Sequence, residues 1–206
     1  MNKKDMNKKD WNGNNKSVFQ VLGASSHSEF DREENDFYAT PRIATELLLK
    51  LETFQKNICE PACGLGHISE VLILNKYKVK NSDLINRGFK KTLEIDFLKT
   101  KDKWNGDIIT NPPYKFAKEF IEKSFELIED KSKIAMFLKL QFLEGKNRKS
   151  LFEKFPPKII YVSSSRLLCA LNGDWKDKSM SSGAVSYCWY IWEKGYKGKT
   201  ILEWFN

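Results

Sequence analysis

From Asp36 onward the chain alternates between two periodicities, and this alternation limits the folds open to it. Short apolar runs at 57–60 (NICE), 78–84 (KVKNSDL), 92–97 (TLEIDF), 106–111 (GDIITN), 133–140 (KIAMFLKL), 158–164 (KIIYVSS) and 184–194 (AVSYCWYIWEK) read as strands. Between them, 39–51, 67–77, 116–130 and 146–155 carry apolar residues every three or four positions and read as helices. Thr40 and Pro41 open the first of these helices as a cap followed by proline at the first helical position. Strand and helix taking turns predicts an α/β layer fold with a largely parallel sheet and helices on both faces, because each return to a parallel strand needs a crossover. In such sheets a ligand sits beyond the carboxyl ends of the strands.

Residues 1–34 have a different texture. MNKKD occurs twice in succession, and Asn, Gly and Ser dominate as far as residue 34. Too little apolar surface is present to offset the entropy of ordering, so this tail is expected to be disordered or loosely docked, with 17–23 (SVFQVLG) as the part able to dock. Residues 35–206 form the folded domain. Their length and an overall apolar fraction of 41%, with six Trp, fourteen Phe and seven Tyr, suffice for one core. No apolar run is long enough to span a bilayer and the first residues lack the core of a signal peptide, so a cytoplasmic protein is expected.

Four cysteines (Cys59, Cys63, Cys169 and Cys188) without a CxxC pair, and only two histidines, make zinc ligation and a disulfide framework poor readings. No metal is expected. The net charge is +8, yet residues 1–34 balance six basic against six acidic side chains, whereas from Lys139 onward twelve basic residues face six acidic ones. That excess suits a phosphate backbone as partner.

The strand ends carry the chemistry. The first closes on Glu60-Pro61-Ala62-Cys63-Gly64-Leu65-Gly66, where two glycines permit a tight turn and a close ligand approach. A third glycine at dinucleotide spacing is missing, which argues against NAD. The second strand ends at Asp83, placed to accept from ribose hydroxyls, and the third at Asp96-Phe97, a carboxylate and a ring for a purine. The fourth runs into Asn111-Pro112-Pro113-Tyr114. Proline removes a donor and biases its predecessor toward an extended backbone, so this is a stiff corner. It presents the Asn111 side-chain oxygen and the Pro112 carbonyl as convergent acceptors for the two N–H bonds of a ring amine, with Tyr114 as a stacking face.

These residues together resemble the class I S-adenosylmethionine-dependent methyltransferases, in particular the amino-methylating branch that includes adenine-N6 DNA methyltransferases of bacteria and phages. Asn111 to Tyr114 is similar to its catalytic (D/N/S)PP(Y/F/W) motif, and Glu60 to Gly66 to its first cofactor motif. The segment 36–41 (DFYATP) is similar to the one that precedes it, and 137–148 resembles phage-type members. The resemblance covers roughly residues 36–195. It implies S-adenosyl-L-methionine as cofactor, with Tyr38, Thr40 and Pro41 at its methionine end and Glu60, Pro61, Ala62, Gly64, Gly66, Asp83, Asp96, Phe97 and Asn111 along it.

The fold implied is a Rossmann-like, seven-stranded sheet in the order 3-2-1-4-5-7-6, with the last-but-one strand antiparallel and supplied by 184–194. The activity implied is methylation of adenine N6 in DNA. The same motif also serves RNA adenine or guanine and protein glutamine, and basic charge favours nucleic acid, DNA ahead of RNA. A module that keeps the fold and binds nucleic acid without turnover is the alternative of another class. No separate target-recognition domain is expected. The segment 163–183, with Arg166, Trp175, Lys176 and Lys178, is placed to read the target, alongside Lys115, Lys139 and Arg148.

Overall fold

The computed structural model describes residues 38–165, 167, 169–171 and 185–206. The tail 1–34 and residues Asp36, Phe37, Arg166, Trp175, Lys176 and Lys178 lie outside the described residues. In chain order the elements are β1 (Tyr38–Ala39), α1 (Arg42–Leu51), β2 (Asn57–Glu60), α2 (His67–Leu74), β3 (Lys78–Asp83), β4 (Leu93–Glu94) and β5 (Asp107–Thr110). There follow α3 (Ala117–Leu127), β6 (Lys133–Lys139), α4 (Lys149–Lys154), β7 (Ile159–Ser163), β8 (Ala170–Leu171), β9 (Tyr187–Glu193) and β10 (Ile201–Phe205). Among the described residues no helix is long and apolar enough to cross a membrane.

Eight strands form the main sheet in the order β10-β7-β9-β6-β5-β2-β3-β4. Every neighbouring pair is parallel except those made by β9, which runs against both β6 and β7. This is the expected order, reversed strand included, with one addition: β10 extends the sheet beyond β7. A separate two-residue ladder joins β1 to β8, pairing Tyr38 with Leu171 and Ala39 with Ala170.

Because side chains alternate across a strand, each buried strand feeds two cores. Ile58, Ile109, Phe137, Trp189 and Ile191 point to one face, where Ala44 and Leu48 of α1 and Ile68 and Leu72 of α2 cover them. Ile108, Ile134, Met136, Tyr190 and Trp192 point to the other, under Phe120, Ile121 and Leu127 of α3 and Leu151 of α4. The spacing of buried residues along α3 is the helical period read from the sequence. Trp189 is fully buried and its indole N–H donates to the Ala44 carbonyl at 2.8 Å, tying the reversed strand to α1.

Local differences from the sequence reading have identifiable causes. Pro41 rather than Thr40 occupies the capping position of α1, and Thr40 makes no cap bond because its hydroxyl is engaged elsewhere. The helix read over 67–77 stops at Leu74: Asn75 takes over as cap and Lys76 adopts a positive φ of 64°. The third strand shrinks to Leu93–Glu94, since Asp96 caps a 3₁₀ turn over Phe97–Lys99 by accepting from Leu98 N–H at 3.1 Å.

Candidate active site

Three parallel neighbours, β5, β2 and β3, end side by side on one edge of the sheet at Thr110, Glu60 and Asp83. The chain departs from β2 toward β3 on one side and β5 on the other, so this edge is the point where the strand order reverses. Asn111 follows β5 directly. Its Nδ2 donates to the Tyr38 carbonyl at 2.8 Å and to Thr40 Oγ1 at 3.0 Å. A carbonyl can only accept, so this contact fixes which end of the carboxamide is nitrogen. Asn111 Oδ1 is left buried, with no hydrogen-bond partner among the described residues. An unsatisfied buried acceptor of this kind costs about 1–3 kcal/mol.

Asn111 and the glycine turn after β2 border the same space. Tyr38, Thr40, Glu60, Ala62, Cys63, His67, Ile68 and Asn111 line a common crevice of about 10 Å³, room for roughly one water molecule. Pro61, within the turn, is buried. Gly64 and Gly66 have φ of 54° and 84°, and a Cβ added at Gly66 would lie 2.4 Å from the Phe89 ring. Asp83 braces the turn: one carboxylate oxygen accepts from Gly64 N–H at 2.8 Å and the other from Ile85 N–H at 3.2 Å.

Glu60 is buried, and Ser69 Oγ lies in hydrogen-bonding contact with both Glu60 Oε2 and Asn81 Oδ1. Burial, with Asp83 nearby, raises its pKa well above the ordinary carboxylate value of 4.5. A neutral Glu60 satisfies the triad, donating to Ser69 Oγ, which in turn donates to Asn81 Oδ1. Since the folded pKa is the higher one, the stability this carboxyl allows is fully present below about pH 4.5 and falls as pH rises toward the folded value. Glu60→Gln is therefore expected to equal the parent below that pH and to exceed it above, the gap widening by at most about 1.4 kcal/mol per pH unit. Urea unfolding across a pH series measures this; a difference between variant and parent that stays constant across the series means that folding does not raise the Glu60 pKa.

Tyr114, half-buried, opens a 3₁₀ turn after the two prolines. Its ring lies 5.6 Å from that of Tyr38 and 6.1 Å from that of Tyr187, and its hydroxyl lies 4.0 Å from Cys169 Sγ. Lys139 Nζ stands 5.0 Å from the ring centre of Tyr114 and 5.9 Å from that of Tyr38. Burial pushes the Tyr114 phenol well above its ordinary pKa and the Cys169 thiol up to about 12, so both remain protonated.

The structure thus brings together Tyr38, Thr40, Glu60, Ala62, Gly64, Gly66, Asp83, Asn111, Tyr114 and Lys139. Pro112 is buried, Pro113 is exposed, and Pro41 is half-buried at the head of α1. Other expected residues have different occupations. Phe97 is 5% exposed and packs on Phe120 with ring centres 5.0 Å apart, so it belongs to the core under α3. Asp96 caps the turn before it and pairs with Lys99 at 3.1 Å. Arg148 spends one guanidinium nitrogen on the carbonyls of Gln141, Phe142 and Glu144 and stacks on Phe142, which closes the loop after β6. Lys115 is exposed, 5.4 Å from the Phe116 ring centre. His67 begins α2, and burial lowers its pKa.

Sequence reasoning missed Phe89, Ser69, Asn81, Tyr187 and Cys169. Phe89 is the one with a signal, as an aromatic between the ribose acid and the next strand, opposite a glycine turn. All four cysteines are free and buried.

A comparison with protein-family models gives no match, and a comparison with curated proteins gives none either. Solved structures do match. A type I restriction-modification methyltransferase subunit from Streptococcus thermophilus superposes with a TM-score of 0.57 at 12% identity, over 82% of this chain and 48% of that one. A Listeria monocytogenes protein assigned to the class I S-adenosylmethionine-dependent methyltransferases gives 0.55 at 15%, over 81% and 65%. The chain has the class I methyltransferase fold. A Pyrococcus horikoshii protein assigned as an RNA methyltransferase shares that fold over 88% of this chain and 99% of its own length, with a TM-score of 0.55 and 14% identity. The chain therefore spans about half of the restriction-modification subunit and under two thirds of the Listeria protein. Within the methyltransferase fold, the crevice between the glycine turn and Asn111 lies at the carboxyl ends of the central strands.

Proposed function

We propose that this chain transfers a methyl group from S-adenosyl-L-methionine to the exocyclic N6 of adenine in DNA. The observation that carries the reading is the buried, unpartnered Asn111 Oδ1, on a side chain that lines one crevice with Ala62 and Cys63 of the glycine turn and is fixed by the two bonds its own Nδ2 makes. An acceptor without a donor, fixed beside a cofactor-type turn, suits an amine that brings N–H groups.

The residues present fit the cofactor. Asp83 and the backbone of the glycine turn would hold its ribose and carboxypropyl portions, and Tyr38 and Thr40 would border its methionine end. When bound, it supplies an electrophilic methyl group on a sulfonium sulfur. Opening the crevice requires β1 or the glycine turn to move outward, since about 10 Å³ admits only a water-sized group.

Asn111 Oδ1 accepts one amine N–H and stabilises the positive charge that grows on nitrogen as the new N–C bond forms and the C–S bond breaks. The methylated nitrogen then sheds its proton to solvent. In a duplex the base must leave its stack to reach Asn111, at a cost of a few kcal/mol. Residues 35–206 carry the whole reaction in this reading, and the segment 163–183 contacts the target.

Incubation with methyl-labelled cofactor and separate DNA, RNA and protein acceptors, followed by nucleoside mass spectrometry, tests the proposal. N6-methyladenine from DNA is the expected product. Label confined to RNA moves the assignment to the RNA branch; cofactor binding with no label in any acceptor assigns a binding module. Asp83→Ala is expected to weaken cofactor binding by about 1.5–3 kcal/mol, the range for a hydrogen bond to a charged group, read by calorimetry. An unchanged dissociation constant removes Asp83 from the site.

A further inference from the structure

β10 is an edge strand of unusual make-up. It is fully paired to β7 on one side, and among the described residues nothing covers its other side. Ile201 is 48% exposed, Leu202 43% and Trp204 70%. Edge strands are ordinarily protected by prolines, bulges or lysines along their length. Here five residues run without interruption, and the one charge within them is Glu203.

The backbone geometry says which groups point outward. Ile201 N–H donates to the Lys158 carbonyl at 3.0 Å, and the Phe205 carbonyl accepts from Ser164 N–H at 3.1 Å. Odd-numbered residues thus direct their backbone groups to β7. The N–H and C=O of Leu202 and Trp204 face outward, and so does the C=O of Thr200, which lies opposite the Ile201 N–H in its peptide, ready for another strand. Past Trp204 the edge closes, because the Asn206 side chain accepts from Ser164 and Ser165 N–H at 3.1 and 3.3 Å and turns the chain back over β7.

We infer that this edge pairs with the same edge of a second copy of the chain, antiparallel about a two-fold axis at Ile201. Charge selects the occupant and the register. With Ile201 opposite the second copy's Ile201, Lys199 lies opposite the second copy's Glu203, and symmetry repeats the pair. Both belong to the odd-numbered set, whose positions across the new ladder are the non-hydrogen-bonded ones, where side chains approach most closely. The Thr200 carbonyl accepts from the second copy's Leu202 N–H, and Trp204 lies across from Gly198, where the Tyr196 ring occupies the side-chain space. Centring the axis on Glu203 instead would set two carboxylates against each other. The product is one continuous sheet in which the exposed Leu202 and Trp204 are covered. Since the second copy's strands run the opposite way, the two catalytic edges face opposite directions and both stay open.

Sedimentation of the full chain over a concentration series tests the assignment. The expected species has twice the 24.0 kDa chain mass. Lys199→Glu and Glu203→Lys are each expected to weaken the dimer at least about tenfold, because each sets two like-charge pairs in the register. The combined Lys199→Glu/Glu203→Lys chain is expected to regain parental affinity. Both sites are on the surface, so circular dichroism should not change. A parental chain that sediments at a single chain mass throughout overturns the inference. So does a double variant as weak as either single one, or a monomer whose Leu202 and Trp204 amides resist hydrogen exchange, which would assign the edge to another segment.

Discussion

Asn111→Ala is expected to lower turnover by about 10²–10³-fold or more, the loss seen when one preorganised partner of a developing charge is removed. The geometry adds a second effect. The same side chain holds the Tyr38 carbonyl and Thr40 Oγ1, so alanine also frees β1 from the end of β5 and should weaken cofactor binding. Asn111→Asp separates the two roles. It preserves a side-chain oxygen but cannot donate to the Tyr38 carbonyl, so it should retain more turnover than alanine while losing as much cofactor affinity. Single-turnover rates and calorimetry on both variants distinguish these outcomes. Equal turnover in the alanine and parent chains would show that the oxygen does not serve the reacting amine.

The second large effect is on stability. Trp189→Ala removes a fully buried indole from the middle of the reversed strand, and substitutions of this kind cost about 3–5 kcal/mol. Neighbouring Phe137, with its ring centre 5.0 Å away, can fill only part of the space. Trp189→Phe keeps most of the packing and loses the bond to the Ala44 carbonyl, so it should cost about 0.5–1.5 kcal/mol from the hydrogen bond plus a smaller packing loss. Urea unfolding compares them. Because the Ala44 carbonyl lies in the first turn of α1, four residues after Thr40, the alanine chain should also bind cofactor less well at temperatures where it remains folded.

How much of this was legible in the sequence depended on the range of the interaction responsible. The strands at β2, β5, β6, β7 and β9 were plain because they are nearly continuous apolar runs buried on both faces. β10 was missed because its outward face is exposed and its pattern, ILEWF, alternates weakly at the end of a lysine- and glycine-rich turn. The proline corner was visible, yet the prolines are not what aims Asn111: the Tyr38 carbonyl and Thr40 hydroxyl do that from seventy-odd residues away. Arg148 and Phe97 read as functional residues because a basic side chain after a strand and an aromatic after an acid fit a motif. Only the folded chain shows three carbonyls enclosing the first and Phe120 covering the second.

The reversal of β9 has a topological consequence. Had that strand run with its neighbours, its start would lie at the far end of the sheet, and the chain after Ser163 would have crossed the whole layer to reach it. Instead β7 finishes and β9 begins on the catalytic edge, where Tyr187 reaches the ring of Tyr114. The connection between them leaves and returns at that one edge, from Ser163 to Tyr187. Insertions and deletions between those two strands therefore leave the strand order and every crossover of the sheet as they are.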